Sequence, residues 1–155
     1  MSTAEANMDR HSGFTVVELI IALLIGSILT SIALSNWGSA RASMAVRGAR
    51  NSFVTLEARA RATAIEKGST MRLYVSVGGD SAYISDGTTT LDRVRFAEEF
   101  HVDLRSSGGD LRLCMNSRGY GDESCNNFTD AVTLQFWQNA DSSSVQILPL
   151  GQLIY

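Results

Sequence analysis

One proline, two cysteines and two histidines are spread over 155 residues, and each scarcity removes a class of reading. The proline is Pro149, so none breaks or kinks the long apolar run between residues 14 and 34. The histidines, His11 and His101, stand far apart, and neither has neighbours at metal-ligand spacing. There is no Ser/His/Asp order and no phosphate-binding glycine loop. The adjacent acids Glu98 and Glu99 read as a solvated pair. An enzyme is therefore not expected, and no cofactor or metal is called for. Formal charge is also scarce, at -3, which is too mild to make nucleic acid the main partner.

What charge there is lies unevenly. Residues 14–34 carry Glu18 alone. Residues 38–67 hold Arg41, Arg47, Arg50, Arg59, Arg61 and Lys67 against Glu57 and Glu66, six minus two, or +4. Residues 68–155 hold six basic and eleven acidic side chains, or -5. A basic rod leading into an acidic head suits head-to-rod packing between subunits, although solvated faces give the same pattern.

The two cysteines, Cys114 and Cys125, lie in a stretch rich in Asn, Gly and Ser. Two arrangements fit them. Outside the cytoplasm they would pair, closing a loop that contributes about 3 kcal/mol in the chain-entropy treatment. Unpaired, they would be two small buried hydrophobes.

The 21 residues from Phe14 to Leu34 match the roughly 20 that a helix needs to span a bilayer. A secretory signal fits poorly: the first thirteen residues carry Glu5, Asp9 and Arg10, and no clean small-residue cleavage site follows the run. A plain anchor leaves Glu18 unexplained, since an ionised carboxylate at the bilayer centre costs about 2.5–3.5 kcal/mol on insertion scales. A cut between Gly13 and Phe14 would supply a partner. The new α-amine at Phe14 lies four positions before Glu18, within reach in the same turn or from a neighbouring subunit. The carboxylate also falls in the first helical turn, where the macrodipole favours negative charge.

Gly13-Phe14-Thr15-Val16-Val17-Glu18-Leu19-Ile20 resembles the class III signal of type IV pilins and type II secretion pseudopilins. The resemblance implies cleavage by prepilin peptidase after Gly13, methylation of the new N-terminal Phe14, and a role for Glu18 in assembly and axial register. It implies an inner-membrane protein with a single pass and a periplasmic C-terminal domain. The implied partners are other pilin or pseudopilin subunits, the peptidase and an inner-membrane assembly platform. The leader is longer and less basic than is usual for the family; a start at Met8 leaves Met8–Gly13, a short leader of the usual kind. Many major pilins also carry a proline in the second half of this span. Here Gly26 and Ser27 are the weak points instead.

Beyond the span, Ala42, Val46, Ala49, Phe53, Leu56, Ala60 and Ala64 recur every three or four residues, one stripe of an amphipathic helix. Lys67-Gly68 reads as its end. Strands are expected at Met71–Val77, Ala82–Ser85, Leu91–Phe96, Phe100–Arg105, Leu111–Cys114, Val132–Trp137, Val145–Leu148 and Gln152–Tyr155, with hairpin turns at Gly108-Gly109 and Asn139–Ser144. Tyr74, Phe96, Phe100, Phe136 and Trp137 are core candidates. The fold class is α+β: a long N-terminal helix, its first half transmembrane, packed on an antiparallel sheet. The expected regions are a leader at 1–13, a membrane and assembly half-helix at 14–37, an amphipathic half-helix at 38–67 and a β-rich head at 68–155.

The run Leu56–Gly68 with Met71-Arg72-Leu73, the Asn116-Ser117-Arg118-Gly119 stretch and the closing Val145–Tyr155 resemble the pseudopilin H and FimT/FimU group. That likeness implies a minor subunit at or near the filament tip, in either a type IV pilus or a type II secretion pseudopilus. An alternative within the group is DNA capture for natural transformation. Some FimT-like members end in a basic Gly-Arg-x-Arg; here the matching stretch is Gly151-Gln152-Leu153-Ile154, without either arginine. Affinity for DNA depends on cations meeting phosphates, so this end offers little, and only Arg112 and Arg118 could form a small patch.

Overall fold

A computed structural model describes residues 14–155, so Gly13 and the rest of the leader lie outside the described residues. The chain divides after Gly38 into two compact units. Helix α1, Val16–Lys67, contributes to both.

In the first unit every side chain from Phe14 to Ile32 is exposed, and the helix is long and apolar enough to cross a membrane. Three of its hydroxyls bond back to the helix. Ser27 donates to the Leu24 carbonyl at 2.8 Å, Thr30 to Gly26 at 2.8 Å and Ser31 to Ser27 at 2.9 Å. Such bonds satisfy these three hydroxyls without water. The helix runs through Gly26 and Ser27 without a break.

The second unit begins with the remainder of α1. Ala42, Val46, Ala49, Phe53, Leu56, Ala60 and Ala64 are all buried, the stripe expected from spacing. The helix ends as its sequence indicates. Gly68 takes a positive φ of 59°, its N–H donates to Ile65 and the N–H of Ser69 to Ala64, closing the last carbonyls in a Schellman arrangement.

Two four-stranded antiparallel sheets follow, where the sequence suggests one. The first has the order β3-β2-β1-β5, from β1 (Met71–Ser76), β2 (Ser81–Ser85), β3 (Thr90–Arg95) and β5 (Leu111–Met115). The second has the order β4-β6-β7-β8, from β4 (Asp103–Ser106), β6 (Val132–Gln138), β7 (Asp141–Ile147) and β8 (Leu153–Ile154). Both contribute to one core with the helix stripe, centred on Phe53, Phe96 and Phe136; the Phe96 and Phe136 rings meet edge to face, 5.1 Å apart.

The chain first passes from one sheet to the other at residues 96–102, and returns to the first for β5. The expected strand Phe100–Arg105 begins instead as the end of a short helix, α2 (Phe96–Phe100), and pairing starts only at Asp103. His101 closes α2 in the left-handed region with φ 57°, and so is not a strand residue. Asp80 clamps the junction: its carbonyl accepts the Phe96 N–H at 2.8 Å and its carboxylate the Leu104 N–H at 2.7 Å. The turn expected over Asn139–Ser144 is also shorter. Asp141 already pairs with Gln138, and Asn139 supplies the positive φ of a two-residue hairpin. The run of serines hid the first half of β7, because it lacks the usual strand residues, while the expected strand from Val145 falls in its second half.

Of the aromatic core candidates, Phe96 and Phe136 are buried. Tyr74, Phe100 and Trp137 are only partly so. Tyr74 stacks on Tyr83 with centroids 5.0 Å apart, and Trp137 lies under the Arg105 guanidinium at 4.7 Å.

Candidate assembly site

At the start of α1, Thr15 is the cap. Its Oγ1 accepts the Glu18 N–H at 3.2 Å and its carbonyl accepts the Leu19 N–H at 3.2 Å. Thr15-Val16-Val17-Glu18 has capping-box spacing, so the residue that fixes the helix start stands three positions from the carboxylate. Glu18 is the sole acid of the first turn, exposed among Phe14, Val16, Val17, Leu19 and Ile20. The geometry is a single anion at a helix N-terminus on an otherwise apolar surface. Phe14 beside it is 82% exposed.

In the second unit the one ion pair with a buried partner joins Glu57 and Arg61, one turn apart. Arg61 reaches further: Nη1 donates to the Gly119 carbonyl at 2.9 Å and Nη2 to the Gly151 carbonyl at 2.6 Å. One guanidinium thus ties the helix to both loops at that end of the domain. Burial pushes the Glu57 carboxyl above its ordinary range, against the hydrogen bond and charge of Arg61. From sequence both residues count only as part of the basic stretch 38–67, fitted to head-to-rod packing or a solvated face, and neither is singled out. The signal available was periodic: Glu57 follows Phe53 by four residues and precedes Ala64 by seven, on the edge of the buried stripe.

Cys114 and Cys125 are joined, with Cα atoms 5.8 Å apart. The loop they close carries two stretches of backbone packed on other backbone. The Gly121 N–H donates to the Leu150 carbonyl at 2.8 Å, and Gly121 adds a bridge to Met115. Asp86, in the β2–β3 loop, accepts the backbone N–H groups of Thr88 and Thr89 as well as both hydroxyls. Those bonds hold its carboxyl far below the usual range.

The groove between α1 and α2 has a volume of about 520 Å³ and brings Glu99 and His101 near Arg41, Met44 and Gly48. Among the described residues no group of three or more His, Cys, Asp or Glu could hold a metal ion.

Residues 8–34 match the sequence profile of the prokaryotic N-terminal methylation motif. The fold is similar to the crystal structure of the type IV minor pilin FimU of Pseudomonas aeruginosa (strain PAO1). The TM-score is 0.54 and the identity 12%, over 70% of this chain and 86% of that one. No curated protein sequence matches the chain. The chain thus carries the N-terminal methylation motif over residues 8–34 and a fold similar to that of a type IV minor pilin.

Proposed function

We propose that the chain is a minor structural subunit of a type IV pilus or type II secretion pseudopilus, inserted at or near the tip and acting through subunit contacts. Prepilin peptidase cuts between Gly13 and Phe14, and the new Phe14 amine is methylated. An inner-membrane platform then lifts the subunit out of the bilayer, the sheet-bearing unit lying in the periplasm. Glu18 sets the register. Its carboxylate pairs with the Phe14 amine of a neighbouring subunit, removing two charges that apolar surroundings would penalise. The observation that carries this reading is Glu18 itself, a single acid in the capped first turn of an exposed apolar helix that matches the methylation motif. Nucleic acid is not a partner in this reading, since the sheet region is net acidic and its last strand lacks arginine.

The test is the intact mass of the chain recovered from membranes with and without prepilin peptidase. The expected product has lost everything through Gly13 and gained one methyl on Phe14, and Gly13→Ala abolishes the change. An uncut chain would leave a plain anchored domain, and a cut after the apolar run an ordinary secreted one.

A further inference from the structure

A sheet edge with bare N–H and C=O groups is a template for pairing with another chain, and proteins close such edges with bulges, charges or covering segments. In the first sheet, β1 pairs one side of β5. The groups of Arg112 and Cys114 on the other side have no strand beside them, yet all four are occupied. Asn127 Oδ1 accepts the Arg112 N–H at 2.7 Å, and the Asn127 N–H donates to the Arg112 carbonyl at 3.3 Å. Asn126 Oδ1 accepts the Cys114 N–H at 2.8 Å, and the Asp122 N–H donates to the Cys114 carbonyl at 2.8 Å.

The segment that does this is an irregular arm. A turn at Asn116–Tyr120 sends the chain back along β5, and Asp122 then folds residues 122–126 with its carbonyl and carboxylate. Two asparagine side chains imitate backbone carbonyls, so the arm supplies a strand's hydrogen bonds without being a strand. Asn126 and Asn127 are themselves held, their side-chain amides donating to the carbonyls of Pro149 and Asp110. The disulfide fastens the arm at Cys125 to the edge at Cys114.

We propose that residues 122–127 are a surrogate strand that denies the β5 edge to a second copy of this chain, and that freeing the arm makes β5 a self-pairing interface. A second copy is the occupant because the four groups are self-complementary. A two-fold axis at Leu113 sets Arg112 opposite Cys114 of the other copy, and each pair exchanges both hydrogen bonds, the antiparallel pattern. No like charges meet, because Arg112 is the only charge in Leu111–Met115. The β3 edge, by contrast, carries Asp92, Arg93 and Arg95, which blunt it by charge.

The test compares full-length chains in detergent by sedimentation: wild type, Cys114→Ser/Cys125→Ser, and that double variant with Arg112→Pro. Proline removes an outward N–H while leaving the β1 ladder intact. The expected result is association of the double variant beyond the wild-type level, reversed by the proline. No added association would overturn the proposal, as would association that the proline leaves unchanged. If the double variant does not fold, Asn126→Ala/Asn127→Ala keeps the disulfide and removes both mimicked carbonyls. Amide exchange at Arg112 and Cys114 should then rise about tenfold and association should again exceed wild type; unchanged exchange or association would overturn the proposal equally.

Discussion

Arg61 and Gly151 are ninety positions apart, and the guanidinium of one donates to the carbonyl of the other at 2.6 Å. That bond, with those to Glu57 and Gly119, makes Arg61 the residue on which α1 and both loops at that end of the domain depend. Arg61→Ala leaves a buried carboxylate without its cation and two carbonyls without a donor. Breaking a fully buried pair costs about 3–5 kcal/mol, but the Arg61 side chain is 32% exposed, so water returns part of that. We expect a loss of about 2 kcal/mol, read as a lower urea midpoint for the sheet-bearing unit in detergent. A change within 0.5 kcal/mol, roughly what a surface substitution gives, would show that the arginine is only a surface charge.

Two carboxyls respond to pH in opposite directions. Burial raises Glu57 above its ordinary value of 4.5, so the folded chain holds that proton more tightly than the unfolded one. Its contribution is fully present below pH 4.5 and is lost as pH rises through the folded value. Asp86 is lowered from 3.8, so its contribution is present above that pH and disappears as pH falls. Glu57→Gln should therefore flatten the decline of stability above pH 4.5, and Asp86→Asn should flatten the acid limb below pH 3.8. Urea midpoints measured across that range separate the two, and identical pH profiles for both variants would contradict the assignment.

Gly121 has no room for a side chain. A Cβ there would fall 2.2 Å from the Pro149 carbonyl oxygen and 2.6 Å from the Leu150 carbonyl carbon, and both are backbone atoms that cannot turn away. Gly121→Ala should cost about 1–3 kcal/mol, the usual range for overpacking. Gly78→Ala, which meets nothing within 4 Å, serves as the control and should leave thermal unfolding nearly unchanged. Equal unfolding temperatures for the two variants would mean that the loops separate easily.

The helical half of the domain was legible because its code is local. The three- and four-residue spacing of Ala42 through Ala64 named the buried stripe, and Lys67-Gly68 named its end. What escaped depends on contacts between residues far apart in sequence. The first passage between the sheets is held by Asp80, whose carboxylate reaches Leu104 across 24 positions, and nothing around Asp80 signals that reach. The first half of β7 escaped for another reason: Ser142-Ser143-Ser144 is turn chemistry by composition, held extended by pairing with Phe136 and its neighbours. At the head of α1 the methylation motif was legible in the sequence and matches residues 8–34. The dual role of Thr15 and Glu18 as cap and capped residue emerged only from the hydrogen bond between them.

That bond allows the two roles of the first turn to be separated. Thr15→Val removes the side-chain oxygen that accepts the Glu18 N–H and should cost the helix start about 1 kcal/mol, while leaving the carboxylate in place. Glu18→Gln keeps the cap and nearly the same shape but removes the charge that the Phe14 amine would meet. Both variants should be cut and methylated normally, because neither touches Gly13 or Phe14. If Glu18 works by charge, Glu18→Gln should fall out of sheared filaments almost completely while Thr15→Val is incorporated at a modestly reduced level. If it works only by ordering the helix start, the two variants should be depleted alike. Immunoblots of the sheared fraction against membrane-retained subunit distinguish these outcomes. Equal incorporation of Glu18→Gln and wild type would remove the register role altogether.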